Sequence, residues 1–86
     1  MKFEFDPAKS ASNKAKHGLD FVEAQALWNG VTLEVSSPFA DESRKLVIGK
    51  IAGEYWTVII TERADNVRLI SVRRSREKEI NAYENR

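Results

Sequence analysis

His17 is the only histidine in the chain, and it stands between Lys16 and Gly18 at the end of an alanine- and lysine-rich segment. No other side chain has an ordinary pKa, about 6.5, suited to proton transfer near neutrality. Further along, Arg68, Arg73, Arg74, Arg76 and Lys78 are set against the single acidic Glu77 between Val67 and Lys78. An arginine-led cluster of this kind suits phosphate or another anion. A proton-transfer group and a set of cations are the two requirements for chemistry at a phosphodiester. Both features also have plainer readings. His17 would cap the carbonyls at a helix end, where the dipole favours it, and the cluster would be a solvated helix face.

A second constellation joins Glu62 and Arg68. If the Ala64-Asp65-Asn66 turn leaves Arg63 opposite Val67, Glu62 faces Arg68 across a hairpin. Such an opposite-charge pair stabilises by about 0.2–1 kcal/mol. Glu62 would then be structural, or it would act as a base or orient an arginine; a two-residue turn would break the pairing. Tyr83 is either an aromatic that stacks a base or donates a proton, or the one large core anchor of the last helix. Ser71 has no second histidine–carboxylate set around it, and the four glycines form no phosphate-cradling loop.

Composition narrows the setting. Eighty-six residues suffice for one domain, read as residues 1–86, with a modest core. The absence of cysteine excludes disulfides, and with His17 as the only histidine a zinc site is nearly excluded. No metal or other cofactor is expected. Hydrophobic residues make up 42% of the chain, as in a globular protein, yet no apolar run approaches the roughly 20 residues that span a bilayer. The acidic, alternating start Met1-Lys2-Phe3-Glu4-Phe5-Asp6 is not a signal peptide, so a cytoplasmic protein is expected. Net charge is only +1. The basic excess lies in residues 63–86, with seven basic against four acidic groups.

These residues need elements to position them. Phe3 and Phe5 alternate with Glu4, as in a strand. Asp6 caps a helix with Pro7 at its first position, running to about Lys16 and ended by Gly18. Ala8, Ala11 and Ala15 would form its narrow contact stripe. Asp20 and Glu23 make a capping-box variant before a second helix carrying Phe21, Ala24, Leu27 and Trp28, with Gly30 as its stop. The period then changes to two: Val31–Val35, Leu46–Ile51, Tyr55–Thr61 and Val67–Val72 read as strands, the third buried on both faces. Residues 37–43 and 52–54 are turns. Ser75 would cap a polar final helix reaching about Glu84. The order β-α-α-β-β-β-β-α predicts an α+β fold with a twisted, mostly antiparallel sheet and helices packed on it.

Several of these segments carry a likeness. Phe5-Asp6-Pro7-Ala8-Lys9, Asn13-Lys14-Ala15-Lys16-His17-Gly18 and Phe21-x-Glu23-Ala24 resemble the amino-terminal signature of the BrnT family. Thr61-Glu62-Arg63, and the stretch from Arg68 through Arg74 up to Tyr83-Glu84, resemble its second signature. The likeness runs nearly end to end.

The resemblance implies a RelE-like fold and a ribonuclease toxin of a type II toxin–antitoxin system. Its partner would be a ribbon-helix-helix antitoxin of the BrnA type in a two-plus-two complex, touching operator DNA only through the antitoxin. RNA would be cleaved without a metal, by attack of the 2′-hydroxyl on the neighbouring phosphate. Under this reading His17, Glu62, Arg68, Arg73 and Tyr83 are the catalytic candidates, and Lys16, Arg63, Arg74, Arg76 and Lys78 hold RNA. The last helix begins beside Arg73, Arg74 and Arg76, and its free N–H groups would add to a phosphate site. Two rivals use the same sheet: a non-catalytic RNA- or protein-binding module, and a basic cluster that serves only to bind an acidic antitoxin surface.

Overall fold

The computed structural model describes residues 2–37 and 44–86. Its elements run β1 (Lys2–Glu4), α1 (Pro7–His17), a 3-10 helix (Glu23–Asn29), β2 (Leu33–Ser36), β3 (Arg44–Ile51), β4 (Glu54–Arg63), β5 (Asn66–Arg74) and α2 (Glu77–Glu84). One five-stranded sheet has the order β1-β5-β4-β3-β2. β1 lies parallel to β5, and every other pairing is antiparallel. β4 is the central strand, as its run of apolar residues predicts. The α+β class and the element order are as expected.

The local signals at both early helices hold. The Asp6 side chain accepts from the Ala8 N–H, and Gly18 closes α1 in the left-handed region at φ 86°. Asp20 and Glu23 exchange hydrogen bonds between side chain and backbone, at 2.7 and 3.0 Å. The helix that follows is 3-10 rather than α, and the buried residues explain it. Ala24 and Leu27, three residues apart, align on one face of a helix with three residues per turn, and Phe21 precedes them in the turn that enters it. All three are at most 1% exposed.

That face packs on one side of the sheet. The core joins Phe21, Ala24 and Leu27 to Val47, Trp56, Val58, Ile60, Val67, Leu69 and Val72, with Phe3, Phe5 and Trp28 at its margin. Gly49 is required here: a Cβ would meet Leu27 Cγ at 2.9 Å. The sheet's other side is covered in part by α2, which is anchored by Tyr83.

Several expected boundaries and contacts are corrected. The exposed alanines of α1 are not its contact stripe; Ser10 and Asn13 are its buried residues. The strand predicted from Val31 begins at Leu33, and Val31 is exposed. β3, β4 and β5 are all longer than alternation suggested. The β4–β5 hairpin turns on Ala64 and Asp65 alone, because Arg63 pairs with Asn66. Ala64 takes φ 53° to make so tight a turn. Residues 38–43, most of the segment read as a turn, lie outside the described residues.

Candidate active site

Asn13 joins α1 to the sheet. Its amide donates to the carbonyls of Leu19 and Val72, both at 2.8 Å, and its Oδ1 accepts the Val72 N–H at 3.2 Å. β1 pairs with β5 only as far as Arg68. Beyond that point the edge of β5 has no neighbouring strand among the described residues, and at Val72 the Asn13 side chain takes the place of one. The N–H and C=O of Val72 therefore remain satisfied, as buried backbone groups must be. Ser10 reinforces the joint by accepting the Phe21 N–H at 2.9 Å.

Holding α1 against β5 creates a surface hollow of about 210 Å³ lined by Lys9, Ser12, Asn13, Lys16, His17, Ile70 and Ser71. Lys9, Ser12 and Lys16 are spaced by three and four along α1, and Asn13 and His17 by four, so all belong to one broad helix face. Two lysines, a histidine and two hydroxyls surround the opening, with positive charge predominating. The helix end is closed by the Gly18 N–H bonding to the Lys14 carbonyl at 2.9 Å. Among the described residues no hydrogen bond joins the exposed His17 ring to a helix carbonyl.

β5 contributes a second row of groups. A β-bulge inserts Ile70, so that Leu69 faces Ile60 while Ser71 faces Ile59. Arg68, Ser71 and Arg73 face Thr61, Ile59 and Thr57 and therefore share one side of the sheet. Arg74 faces Trp56 on the core side. There its guanidinium lies 5.4 Å from the indole centroid and pairs with Glu54 at 3.3 Å. The arginine cluster is thus divided between two faces.

The two-residue turn also removes the expected Glu62–Arg68 pair. Glu62 faces Val67, and Arg68 faces Thr61. Glu62 is bound instead by Lys45 of β3 at 2.6 Å, and that hydrogen bond raises the Lys45 pKa. Arg63 is exposed beside the turn.

At the strand-to-helix junction Arg73 spends its fork on Glu79. The two bonds are 2.8 and 2.7 Å. Glu79 also accepts from Thr57 Oγ1 at 2.9 Å and from the Arg76 N–H at 2.8 Å. Burial alone would raise the Glu79 carboxyl, but the Arg73 guanidinium and these N–H and hydroxyl donors outweigh it and hold it at about 2. Ser75 does not cap α2; its hydroxyl bonds Thr57 Oγ1 at 2.8 Å, and Arg76 occupies the cap position. Arg76 and Lys78 are exposed and make no ion pair among the described residues. Tyr83 is buried, donating its hydroxyl to the Val31 carbonyl at 2.8 Å and packing edge-on against Tyr55. Its position is that of the core anchor.

The hollow thus brings His17 and Lys16 together with Ser71, a residue that had no partner in the sequence, and with Lys9, Ser12 and Asn13. The spacing of Lys9, Ser12 and Lys16 was the available signal for that face. Glu62, Arg74 and Tyr83 point elsewhere.

Comparison with known proteins gives one finding. The description "Ribonuclease toxin, BrnT, of type II toxin-antitoxin system" belongs to a family model that matches residues 5–79. No curated protein matches the chain. With most of its length matched, from the cap of α1 through Glu79, the chain belongs to the BrnT family of ribonuclease toxins of type II toxin–antitoxin systems.

Proposed function

We propose that this chain is an endoribonuclease toxin of RelE-like fold that acts in the cytoplasm and cleaves RNA through its own 2′-hydroxyl. The observation that supports this most is the hollow between α1 and β5, where His17 opens onto the same space as Lys9, Lys16, Ser12 and Ser71. His17 takes the 2′-hydroxyl proton, and the freed oxygen attacks the adjacent phosphorus. The bond to the 5′-oxygen breaks, solvent protonates that oxygen, and a 2′,3′-cyclic phosphate and a 5′-hydroxyl remain. Lys9, Lys16 and Arg68 stabilise the charge that gathers on the phosphate oxygens. Arg63, Arg76 and Lys78 contact the flanking backbone. Glu62 holds Lys45, Arg74 braces Trp56, and Tyr83 anchors α2; none of these three touches RNA.

Membership of a type II system implies a protein antitoxin. We propose a ribbon-helix-helix dimer of the BrnA type in a two-plus-two complex, covering the face of Arg68 and Ser71. Binding to a partner also stabilises so small a fold by mass action.

Expression of the chain alone should arrest growth, and co-expression with a neighbouring ribbon-helix-helix protein should restore it. Purified protein should leave cyclic-phosphate ends on RNA. Absence of cleavage, or wild-type cleavage by His17→Gln, would overturn the assignment.

A further inference from the structure

Arg73 and Glu79 form a doubly hydrogen-bonded ion pair, and Glu79 accepts four hydrogen bonds in all. Both side chains are largely shielded, at 19% and 12% exposure, and Thr57 beneath them is 0% exposed. Arg73 gives both terminal nitrogens to Glu79, and Nη1 also lies 3.3 Å from the Arg74 carbonyl. Three of its five N–H donors are thereby engaged, and at 19% exposure the side chain presents little free surface to a phosphate.

Glu79 in turn reaches three places: Arg73 on β5, Thr57 on β4, and the backbone N–H of Arg76 at the start of α2. It therefore ties the first turn of α2 to the sheet. The far end of α2 is tied separately, through Tyr83 and its bond to Val31. With few apolar residues in α2, the Glu79 node has no apolar substitute at the amino-terminal end. Its release would free the junction that carries Arg76 and Lys78, both exposed.

We infer that Arg73 and Glu79 are positioning residues for RNA binding: through Glu79, Arg73 fixes the β5–α2 junction so that Arg76 and Lys78 can engage the RNA backbone, and Arg73 takes no phosphate itself. This rests on the ribonuclease reading above. It also has a counter-intuitive consequence. Removing a negative charge beside arginines ordinarily strengthens RNA binding, and it would do so here if it merely freed Arg73. If Glu79 positions the junction, its removal weakens binding.

The test is fluorescence anisotropy with a 2′-O-methyl RNA oligonucleotide, which binds but lacks the attacking hydroxyl, across a salt series. Wild type is compared with Arg73→Ala, Glu79→Ala, the double variant and Arg76→Ala, at a temperature where circular dichroism shows each folded. Glu79→Gln, which loses the charge that pairs with Arg73 but retains an acceptor for the Arg76 N–H, replaces Glu79→Ala if that variant does not fold. Loss of a charge-assisted contact corresponds to about tenfold in affinity, so Glu79→Ala and Arg73→Ala should each weaken binding by about that much. The double variant should be no weaker than either single variant. Each should also lower the salt slope by about 0.7, one phosphate contact on a single strand, and Arg76→Ala should do the same. Glu79→Ala or Glu79→Gln that binds as tightly as wild type, or more tightly, overturns the inference and leaves the ribonuclease reading intact. A wild-type protein that binds no RNA overturns both.

Discussion

Arg73 and Arg74 are neighbours in the chain and lie on opposite faces of the sheet, Arg73 opposite Thr57 and Arg74 opposite Trp56. One is held by Glu79 and the other by Glu54 and the Trp56 ring. Alternation along β5 separates them, and the bulge at Ile70 returns Arg73 to the side that carries Arg68 and Ser71. What reads as one basic patch is therefore two sets of groups with different surroundings.

The first expectation follows from this division. Arg68→Ala should lower RNA cleavage about tenfold, as loss of one charge-assisted contact does. Arg74→Ala should leave cleavage near wild type and change stability by no more than about 1 kcal/mol, as an exposed pair does. Rates of both variants on one RNA substrate, with denaturant midpoints, decide the matter. Equal losses at the two positions would count against the face assignment.

His17 is exposed, so its replacement should spare the fold. His17→Gln should slow cleavage by about 10²–10⁴-fold, the usual contribution of a general acid or base, with an unchanged unfolding midpoint. Single-turnover cleavage alongside thermal denaturation separates the two effects.

Asn13 should matter to stability more than its polarity suggests. Asn13→Ala leaves the Val72 N–H and two carbonyls without their partner in a buried place. A cost of about 3 kcal/mol is expected from unmet backbone groups, together with looser attachment of α1. Urea denaturation measures the first and hydrogen exchange at Val72 the second. Protection at Val72 equal to wild type would contradict the edge-strand role.

Glu79 supplies a pH dependence with a definite sign. Its folded carboxyl sits at about 2, below the ordinary 4.5. The unfolded state therefore takes up protons first as pH falls, and the stabilisation complete at neutral pH is lost between those two values. Glu79→Gln should be less stable than wild type at pH 7, and the gap should narrow as pH approaches 2. Denaturant midpoints of both proteins across that range test it; a gap independent of pH would show that ionisation of Glu79 contributes nothing.

What the sequence determined by itself was local. Asp6-Pro7, the Asp20–Glu23 exchange and Gly18 depend on neighbours within a few residues, and they sit where their chemistry predicts. Strand alternation identified β4 as central, because a strand buried on both faces must be apolar on both. The likeness that led to the BrnT family lay in short segments and was equally legible. The tertiary structure decided the rest. The length of the β4–β5 turn set the register and parted Glu62 from Arg68, since a shift of one residue changes every facing pair. The docking of α1 rested on Asn13 and Ser10 rather than on alanines, because an open strand edge needs hydrogen-bonding partners, and hydropathy does not record that need. The hollow joins Lys9 to Ser71, residues far apart in the chain, and only the packing of α1 on β5 brings them to one place.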